Sequence, residues 1–259
     1  MTRVLLIDED QRLCRVLGEF LIRAGMTVQF AHDGKSGLRS ALTGQHDLVV
    51  LCDALPELAG LQLTKQLRTH SDIGILMLSA HGIEGDKIVA LECGADDYLD
   101  KPLRPRELVA RIRAITRRVK LSSTRKFGST PERFEIGDIV VDEGSRECCR
   151  NGRIIDLTAA EFDLLILFLR HSGRVIHRTE LSRRVLDREY SPFDRSIDVH
   201  VSNLRRKLGA RPDGTERIRS VRNIGYIYAH SAPTQSHGSL LSIPQLCDSP
   251  YSHDHSRQL

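Results

Sequence analysis

The chain has 259 residues, of which 40% are hydrophobic and 28% are charged, as is typical of folded globular proteins. This length fits one large domain or two medium ones. No apolar run reaches the roughly 18 residues that a membrane-spanning helix needs. The first apolar run, Val4–Ile7, is shorter than the ~7–15-residue core of a signal peptide. We therefore expect a cytoplasmic protein that is not bound to a membrane.

The formal net charge of +4 is unevenly distributed along the chain. Residues 1–118 have no net charge, whereas residues 119–230 carry a net charge of +5. A basic excess confined to one segment indicates that this segment binds nucleic acid, although basic surfaces also occur for solubility alone.

Strand-like and helix-like segments alternate through the first 118 residues. The five predicted strands are Val4–Ile7, Thr27–Ala31, Leu48–Leu51, Ile73–Leu78 and Asp97–Leu99. A helical pattern follows each strand, and the last helix is predicted over Pro105–Arg118. Such alternation predicts a parallel sheet with helices on both faces. In the first helix, apolar residues recur at helical spacing and predict a buried face: Leu13, Val16, Leu17, Phe20 and Leu21.

Polar side chains follow four of these strands at the point where each strand ends. They are Asp8 and Glu9, Cys52 and Asp53, Ser79, and Lys101. In an open parallel sheet, ligands bind just beyond the carboxyl ends of the strands. Carboxylates bind divalent cations, and lysine and serine bind phosphate oxygens. The sequence therefore predicts one pocket that binds a cation and a phosphoryl group.

Residues 3–118 resemble the receiver domain of bacterial response regulators. The matching stretches are LLIDED at 5–10, DLVVL at 47–51 with Pro56 and Gly60 after it, MLSA at 77–80, GADDYLDKP at 94–102 and ELVARIRA at 107–114. The resemblance implies a flavodoxin-like α/β fold and an acceptor aspartate that receives its phosphoryl group from a sensor histidine kinase. It also implies Mg²⁺ at Asp8 and Glu9, a cis Lys101–Pro102 peptide, and a phosphoryl and switch pocket formed by Ser79, Tyr98 and Lys101.

The acceptor position departs from the pattern of that family. The acceptor aspartate precedes the loop proline by four residues, and here that position is Cys52. Asp53 lies one residue later, which in a strand turns its side chain to the other face. Glu9 stands where the family has a metal-binding aspartate, and a thiol is a poor ligand for Mg²⁺. Both departures weaken the expectation of Mg²⁺ binding.

Three interpretations of this site remain open. The receiver no longer uses aspartyl phosphate, which is our prediction. Alternatively, a shifted strand end allows Asp53 to accept the phosphoryl group, and the protein is a conventional phosphorylation-switched regulator. In the third interpretation Cys52 is a thiol switch, which requires Lys101 to favour the thiolate.

The resemblance further implies a homodimer formed through the fourth helix, the fifth strand and the fifth helix. Charged residues along this surface are the candidates for matched ion pairs between two copies: Lys87, Glu92, Asp96, Asp97, Glu107 and Arg111. Because exposed ion pairs contribute little energy, they are expected to determine specificity more than affinity.

A linker is predicted over residues 119–133, which lack an apolar period, and a second domain over residues 134–230. Short strands open this domain, with a hairpin turn at Asn151–Gly152. Thr158 and Glu161 form a capping-box pattern before an apolar helix. A second helix is predicted over Arg178–Leu186. A third helix begins with Asp194 as its cap and runs to Leu208.

The third helix has two contrasting faces. Its apolar face carries Ile197, Val201, Leu204 and Leu208, and its polar face carries Arg195, Val199, Ser202 and Arg206. A helix that binds in the major groove needs two faces. One face packs on the protein core, and the other contacts bases and phosphates. A predicted hairpin, Ile218–Ala229, follows with Arg222 near its tip, where it can enter a minor groove.

This half resembles the winged helix-turn-helix DNA-binding domain of the OmpR/PhoB family, an α+β fold. The matching stretches are LTAAEFDLL at 157–165, FDRSIDVHVSNLRRKL at 193–208 and RNIGY at 222–226. The resemblance implies contacts to double-stranded DNA by Arg195, Val199, His200, Ser202, Asn203, Arg205 and Arg222. It also implies that RNA polymerase binds the loop Leu186–Phe193. Residues 231–259 lie outside the resemblance and are predicted to be a disordered tail. The sequence thus predicts a dimeric transcriptional regulator without enzymatic activity.

Overall fold

The computed structural model describes residues 1–79, 84–124 and 133–229. Within these ranges, no helix combines the length and the apolar character that crossing a membrane requires. The predicted tail, 231–259, and the middle of the predicted linker lie outside the described residues.

The first domain is a five-stranded parallel sheet with the strand order β2-β1-β3-β4-β5. Its strands are β1 (Thr2–Ile7), β2 (Met26–Ala31), β3 (Leu48–Cys52), β4 (Gly74–Ser79) and β5 (Asp97–Asp100). The helices are α1 (Gln11–Arg23), α2 (Gly34–Ala41), α3 (Gly60–His70), α4 (Glu84–Glu92) and α5 (Pro105–Thr124). This architecture confirms the predicted flavodoxin-like fold.

The sheet separates two apolar clusters, one on each face. All five residues of β3 are buried, which explains the uninterrupted apolar run in its sequence. On α1 the prediction was wrong in part, because Val16 and Phe20 are 53% and 44% exposed. The buried face of α1 instead uses Cys14, Leu17 and Leu21. Helical spacing alone does not distinguish these two overlapping stripes.

Helix α5 is longer than predicted. It continues to Thr124, so residues 119–124, predicted as linker, are helical. Its inner face carries Leu108, Ile112 and Ile115, which are fully buried. The helix therefore extends from the receiver core toward the second domain.

The second domain begins with a four-stranded antiparallel sheet. Its strands are β6 (Arg133–Ile136), β7 (Ile139–Asp142), β8 (Glu147–Arg150) and β9 (Arg153–Ile154). Three helices follow: α6 (Ala159–Arg170), α7 (Arg178–Leu181), which continues as a π-helical turn (Ser182–Leu186), and α8 (Ser196–Leu208). Strand β10 (Val175–His177) joins the hairpin of β11 (Ile218–Val221) and β12 (Gly225–Tyr228) in a three-stranded sheet. This α+β arrangement is the predicted winged helix-turn-helix.

Local signals of the second domain are mostly confirmed. Thr158 and Glu161 form the reciprocal capping box at the start of α6. Asn223, in the turn between β11 and β12, has a φ of 59°, a left-handed conformation that asparagine tolerates. Helix α8 begins at Ser196, one residue later than predicted, with Arg195 instead of Asp194 as its N-cap. The Asp194 carboxylate accepts hydrogen bonds from the Ser196 amide and hydroxyl, so Asp194 closes the preceding turn and does not enter the helix.

The two domains contact each other through their helices. Helix α8 packs against α4 of the receiver, and α6 packs against α5. These contacts bring the surface predicted to dimerise together with the helix predicted to read DNA.

Candidate functional site

The predicted receiver pocket forms at the carboxyl ends of β1, β3 and β5. The Lys101 ammonium donates to Asp8 Oδ2 at 2.7 Å and lies 3.4 Å from Cys52 Sγ. Asp8 and Cys52 are 1% and 3% exposed. The Lys101–Pro102 peptide is cis, as predicted. The structure therefore brings Asp8, Cys52 and Lys101 into one buried cluster.

Asp53 follows β3 and lies at the rim of this cluster, half-buried. Its amide donates to Leu78 O at 3.0 Å, and its Oδ1 accepts from the Ala54 amide at 2.8 Å. The Cys52 thiol also lies 3.5 Å from that oxygen. The residue at the end of the strand that contacts Lys101 is thus the cysteine.

The Cys52 thiol is held in its neutral form. Burial, and next the negative charge of Asp8, raise the pKa of Cys52 to about 11, although Lys101 acts in the opposite direction. At neutral pH the thiolate is therefore a minor species, and the thiolate is the reactive form. This geometry does not support the thiol-switch interpretation.

The residues present do not fit a bound Mg²⁺. Asp8 is the one buried carboxylate in the cluster, and its oxygens already accept from Lys101 and from the Asp10 amide. Glu9 is exposed, and Asp10 caps α1 through the amides of Arg12 and Leu13. In the described parts of the chain, no group of three or more His, Cys, Asp or Glu side chains is placed to hold a metal ion. Mg²⁺ requires octahedral oxygen ligands, which a thiol does not supply.

Two further predicted pocket residues differ in their surroundings. Ser79 is 4% exposed, and its hydroxyl has no hydrogen-bond partner among the described residues. Tyr98 is half-buried, and the Lys87 ammonium lies 5.0 Å from the centroid of its ring. Burial raises the pKa of Tyr98 to about 12, and the charged groups that act on it include Asp194 and Arg188 of the second domain. Tyr98 therefore connects the receiver to the DNA-binding domain.

Most of the residues predicted to pair across a dimer form ion pairs within the chain. Asp96 contacts Arg68 at 2.7 Å, and Asp97 and Glu107 both contact Arg111 at 3.0 Å. Lys87 contacts Asp100, and Glu92 lines a cleft between the domains. Asp96 and Asp97 are each 1% exposed. Arg68 covers Asp96, and Arg188 of the second domain covers Asp97.

The apolar face of α8 packs as predicted, and its polar face is divided. Ile197, Val201, Leu204 and Leu208 lie in the core of the second domain. Arg195, Ser202, Arg206 and, in the wing, Arg222 are exposed. Three other predicted DNA contacts are buried instead: Val199, His200 and Asn203.

Burial of these three residues follows from the contact with the receiver. Asn203 Nδ2 donates to Leu91 O of α4 at 3.0 Å. His200 is 1% exposed, and the charged groups that act on it come from both domains: Glu161, Arg118, Asp96 and Asp97. Burial, the largest effect, lowers the pKa of His200 below its ordinary value. In this closed arrangement Val199, His200 and Asn203 are not accessible to DNA, and their contact with DNA stays a prediction.

Arg205 also differs from its predicted role. Its Nε donates to Ile218 O at 2.8 Å, and its guanidinium lies over the ring of Tyr226, 5.5 Å from the centroid. A second hydrogen bond joins it to Ser220 at 3.0 Å. Arg205 thus holds the wing strands against α8, whereas Arg206 is exposed.

Arg188, which joins the two domains, was not among the predicted site residues. Its Nη1 lies 2.8 and 3.1 Å from the two oxygens of Asp97, and its Nη2 donates to Ser196 at 2.6 Å. Nη2 also contacts Asp194 at 2.6 Å. Arg188 stands in a predicted loop, where no periodicity marks one basic residue above its neighbours.

Known proteins resemble the chain over nearly its whole described length. Residues 4–113 match the family described as response regulator receiver domain, and residues 152–228 match transcriptional regulatory protein, C terminal. The chain is 42% identical over 230 residues to the transcriptional regulatory protein CpxR of Klebsiella pneumoniae, covering 88% of this chain and 98% of that protein. It is 38% identical over 236 residues to the transcriptional regulatory protein AruR of Pseudomonas aeruginosa, covering 89% and 97%.

A solved structure has the same overall fold. A cysteine-to-serine mutant of RitR matches with a TM-score of 0.71 and 25% identity, covering 89% of this chain and 100% of that chain. The two matching domains, their order and the extent of these relatives agree with the parallel receiver sheet and the winged helix described above. The chain therefore belongs to the OmpR/PhoB family of two-component response regulators, which are DNA-binding regulators of transcription.

Proposed function

We propose that this regulator binds double-stranded DNA as a homodimer and that its activity does not depend on aspartyl phosphate. The observation that carries the second part is the contact between Cys52 Sγ and Lys101 Nζ, at 3.4 Å. In the family that lysine binds the phosphoryl group on the acceptor carboxylate, and here it faces a neutral thiol. The receiver then packs against the DNA-binding domain and forms the dimer.

DNA binding is assigned to α8 and the β11–β12 wing. The exposed residues Arg195, Ser202 and Arg206 meet the major groove, and Arg222 reaches the minor groove. Val199, His200 and Asn203 join the contact surface once the receiver moves away from α8. Arginine contacts to phosphates make the affinity strongly dependent on salt.

Dimerisation is assigned to the surface formed by α4, β5 and α5. This surface carries the alternating charges of Lys87, Glu92, Asp96, Asp97, Glu107 and Arg111. In support, Asp97 and Arg111 form an ion pair at 3.0 Å, and a second copy can reach it once the second domain, whose Arg188 covers Asp97, moves away. Two copies side by side place two α8 helices on repeated DNA half-sites.

Further partners follow from the family. We assign the loop Leu186–Phe193 to RNA polymerase, and Phe193 at its end is 88% exposed. A cognate sensor histidine kinase is retained as a docking partner of the receiver, and the protein acts in the cytoplasm, where its DNA lies. Mg²⁺ is not required, because the donor atoms around Asp8 do not fit it.

A second candidate function is a conventional phosphorylation switch with Asp53 as acceptor. It is favoured by the position of Asp53, whose Oδ1 lies 3.5 Å from Cys52 Sγ at the rim of the pocket. A rotation of the end of β3 would exchange the positions of the Cys52 and Asp53 side chains. The phosphoryl group would then lie between Lys101 and the Ser79 hydroxyl, which has no hydrogen-bond partner within the described part of the chain.

One experiment separates the two functions. The full chain is incubated with Mg²⁺ and a small phosphodonor, and the intact mass and the binding to a random pool of DNA sites are measured with and without the donor. We expect no gain of a phosphoryl mass and the same DNA selection in both cases. A stoichiometric gain that disappears in Asp53→Asn would establish the second function instead.

A further inference from the structure

We infer that Asp198 is a positioning residue for DNA recognition. Its carboxylate fixes the direction of Arg195 at the start of α8 and the position of the wing relative to α8. It thereby determines how well the domain distinguishes its own site from other DNA. This inference rests on the proposed assignment of DNA binding to α8 and the β11–β12 wing.

The Asp198 carboxylate joins three parts of the DNA-binding domain. Asp198 lies in the first turn of α8. Its Oδ1 accepts from Arg178 Nε of α7 at 3.1 Å and from the Tyr226 hydroxyl of β12. Its Oδ2 contacts Arg195 Nε, just before α8, at 3.1 Å. One carboxylate thus fixes both helices of the helix-turn-helix and the wing relative to one another.

Tyr226 carries the connection to the wing. Its ring is buried, and the guanidinium carbons of Arg178 and Arg205 lie 4.8 and 5.5 Å from its centroid. Such cation–π contacts are stronger where water is excluded. Burial, and next the hydrogen bond to Asp198, raise the pKa of Tyr226 to about 12, so its hydroxyl stays protonated and donates at neutral pH. The wing therefore cannot shift along α8 without breaking a charge-assisted hydrogen bond.

Arg195 is the group that this arrangement presents to DNA. Its side chain is 56% exposed, although its Nε is held by Asp198, which is 25% exposed. An arginine side chain has many rotamers, and immobilising it on binding costs conformational entropy. Because Asp198 already holds Arg195 in the free protein, less of this cost remains when the guanidinium meets a base or phosphate in a matching position. A duplex without a matching group does not benefit from the fixed direction.

Asp198 therefore acts in opposite directions on two kinds of DNA binding. Its negative charge offsets the charge of Arg195 and repels nearby phosphates, so it weakens binding that depends on charge alone. Its positioning effect strengthens binding to the selected site. An acidic residue that only stabilises the first turn of a helix would change both affinities in the same direction. The ratio of the two affinities separates positioning from support of the fold.

The test compares Asp198→Asn with Asp163→Asn in the full chain. Asp163 of α6 is a matched control, because it is 26% exposed and contacts Arg146, whose guanidinium lies 4.3 Å from the centroid of the Phe162 ring. Affinities for the selected site and for an unrelated duplex are measured over a range of salt concentrations. Their ratio cancels the cost of moving the receiver away from α8, which both complexes share. Thermal unfolding confirms that each variant is folded.

A second variant, Tyr226→Phe, removes only the hydroxyl that connects Asp198 to the wing. The ring and its contacts with Arg178 and Arg205 remain, so this variant decides the question if Asp198→Asn does not fold. We expect the affinity ratio to fall at least about tenfold in Asp198→Asn, which corresponds to about 1.4 kcal/mol, and about threefold in Tyr226→Phe. Asp198→Asn binds unrelated DNA at least as tightly as the wild type, and Asp163→Asn matches the wild type in both affinities.

An unchanged ratio in folded Asp198→Asn would overturn the inference, and so would an equal loss of both affinities. The same fall of the ratio in Asp163→Asn would overturn it as well. If the wild type does not distinguish the two duplexes, the proposed function and the inference both fail. If the wild type distinguishes them and Asp198→Asn does so equally well, the inference alone fails.

Discussion

Replacing Cys52 by aspartate tests the description of the receiver pocket most severely. In Cys52→Asp a carboxylate would stand beside Lys101, whose ammonium is already engaged by Asp8 at 2.7 Å. The cluster would then hold two carboxylates and one ammonium in a site where Cys52 is 3% exposed. At an effective dielectric constant near 20, each pair of charges about 4 Å apart interacts by about 4 kcal/mol. The attraction of the new carboxylate to Lys101 and its repulsion from Asp8 therefore roughly cancel.

What remains is the cost of burying a charge, which amounts to several kcal/mol for one ion. We expect Cys52→Asp to lower the free energy of unfolding by about 2–4 kcal/mol in the absence of divalent cations. The second carboxylate also creates an oxygen ligand, so Mg²⁺ binds and offsets the loss by about 2.7 kcal/mol at 100 times its dissociation constant.

The assay is urea unfolding of the wild type, Cys52→Asp and the neutral control Cys52→Ser, each with and without Mg²⁺. We expect Mg²⁺ to stabilise only the aspartate variant, and that variant to gain a phosphoryl mass from a small phosphodonor. Stabilisation of the wild type by Mg²⁺ to the same extent as Cys52→Asp would refute this account of the pocket.

Three further predictions concern the rest of the chain. Arg68→Ala should lower the free energy of unfolding of the receiver by about 3–5 kcal/mol, measured by urea unfolding, because it leaves buried Asp96 without its cation; a loss under about 1 kcal/mol would contradict this assignment. Arg206→Ala and Arg222→Ala should each weaken DNA binding and reduce the salt slope by about 1, and an unchanged slope for both would remove the groove assignment. Because burial lowers the pKa of His200 from 6.5, the open state binds more protons than the closed state. Closure should therefore be intact above pH 6.5 and weaken as the pH falls below it, seen as an increasing radius of gyration; a radius that does not change with pH would contradict this.

Much of the fold follows from local patterns in the sequence. The run Leu48–Leu51 predicts a central strand because only burial on both faces accommodates four consecutive apolar residues, and the structure buries all of them. The stripe from Ile197 to Leu208 predicts which face of α8 packs on the core. Thr158 predicts the start of α6 through its side chain. In each case the residues that carry the sequence pattern lie within a few positions of the structural feature that they predict.

Other features depend on contacts between distant residues and leave no local pattern. Val16 and Phe20 are apolar and correctly spaced, yet they remain exposed because the sheet meets the neighbouring stripe of α1. Arg188 and Asp97 are 91 residues apart, and neither position is unusual in its own segment. The candidate pocket was predictable because the ends of parallel strands meet at one edge. The closed arrangement of the domains was not, because it depends on contacts between α4 and α8 and between α5 and α6, which are distant in the sequence.

The most direct test of the central claim is DNA binding by the full wild-type chain, measured over a range of protein concentrations with and without phosphodonor and Mg²⁺. A regulator that binds DNA as a homodimer without aspartyl phosphate should bind its selected site cooperatively as its concentration rises, with the same curve in both conditions. A curve that shifts to at least tenfold lower concentration only when the donor is present would contradict the claim and identify the receiver as a phosphorylation switch.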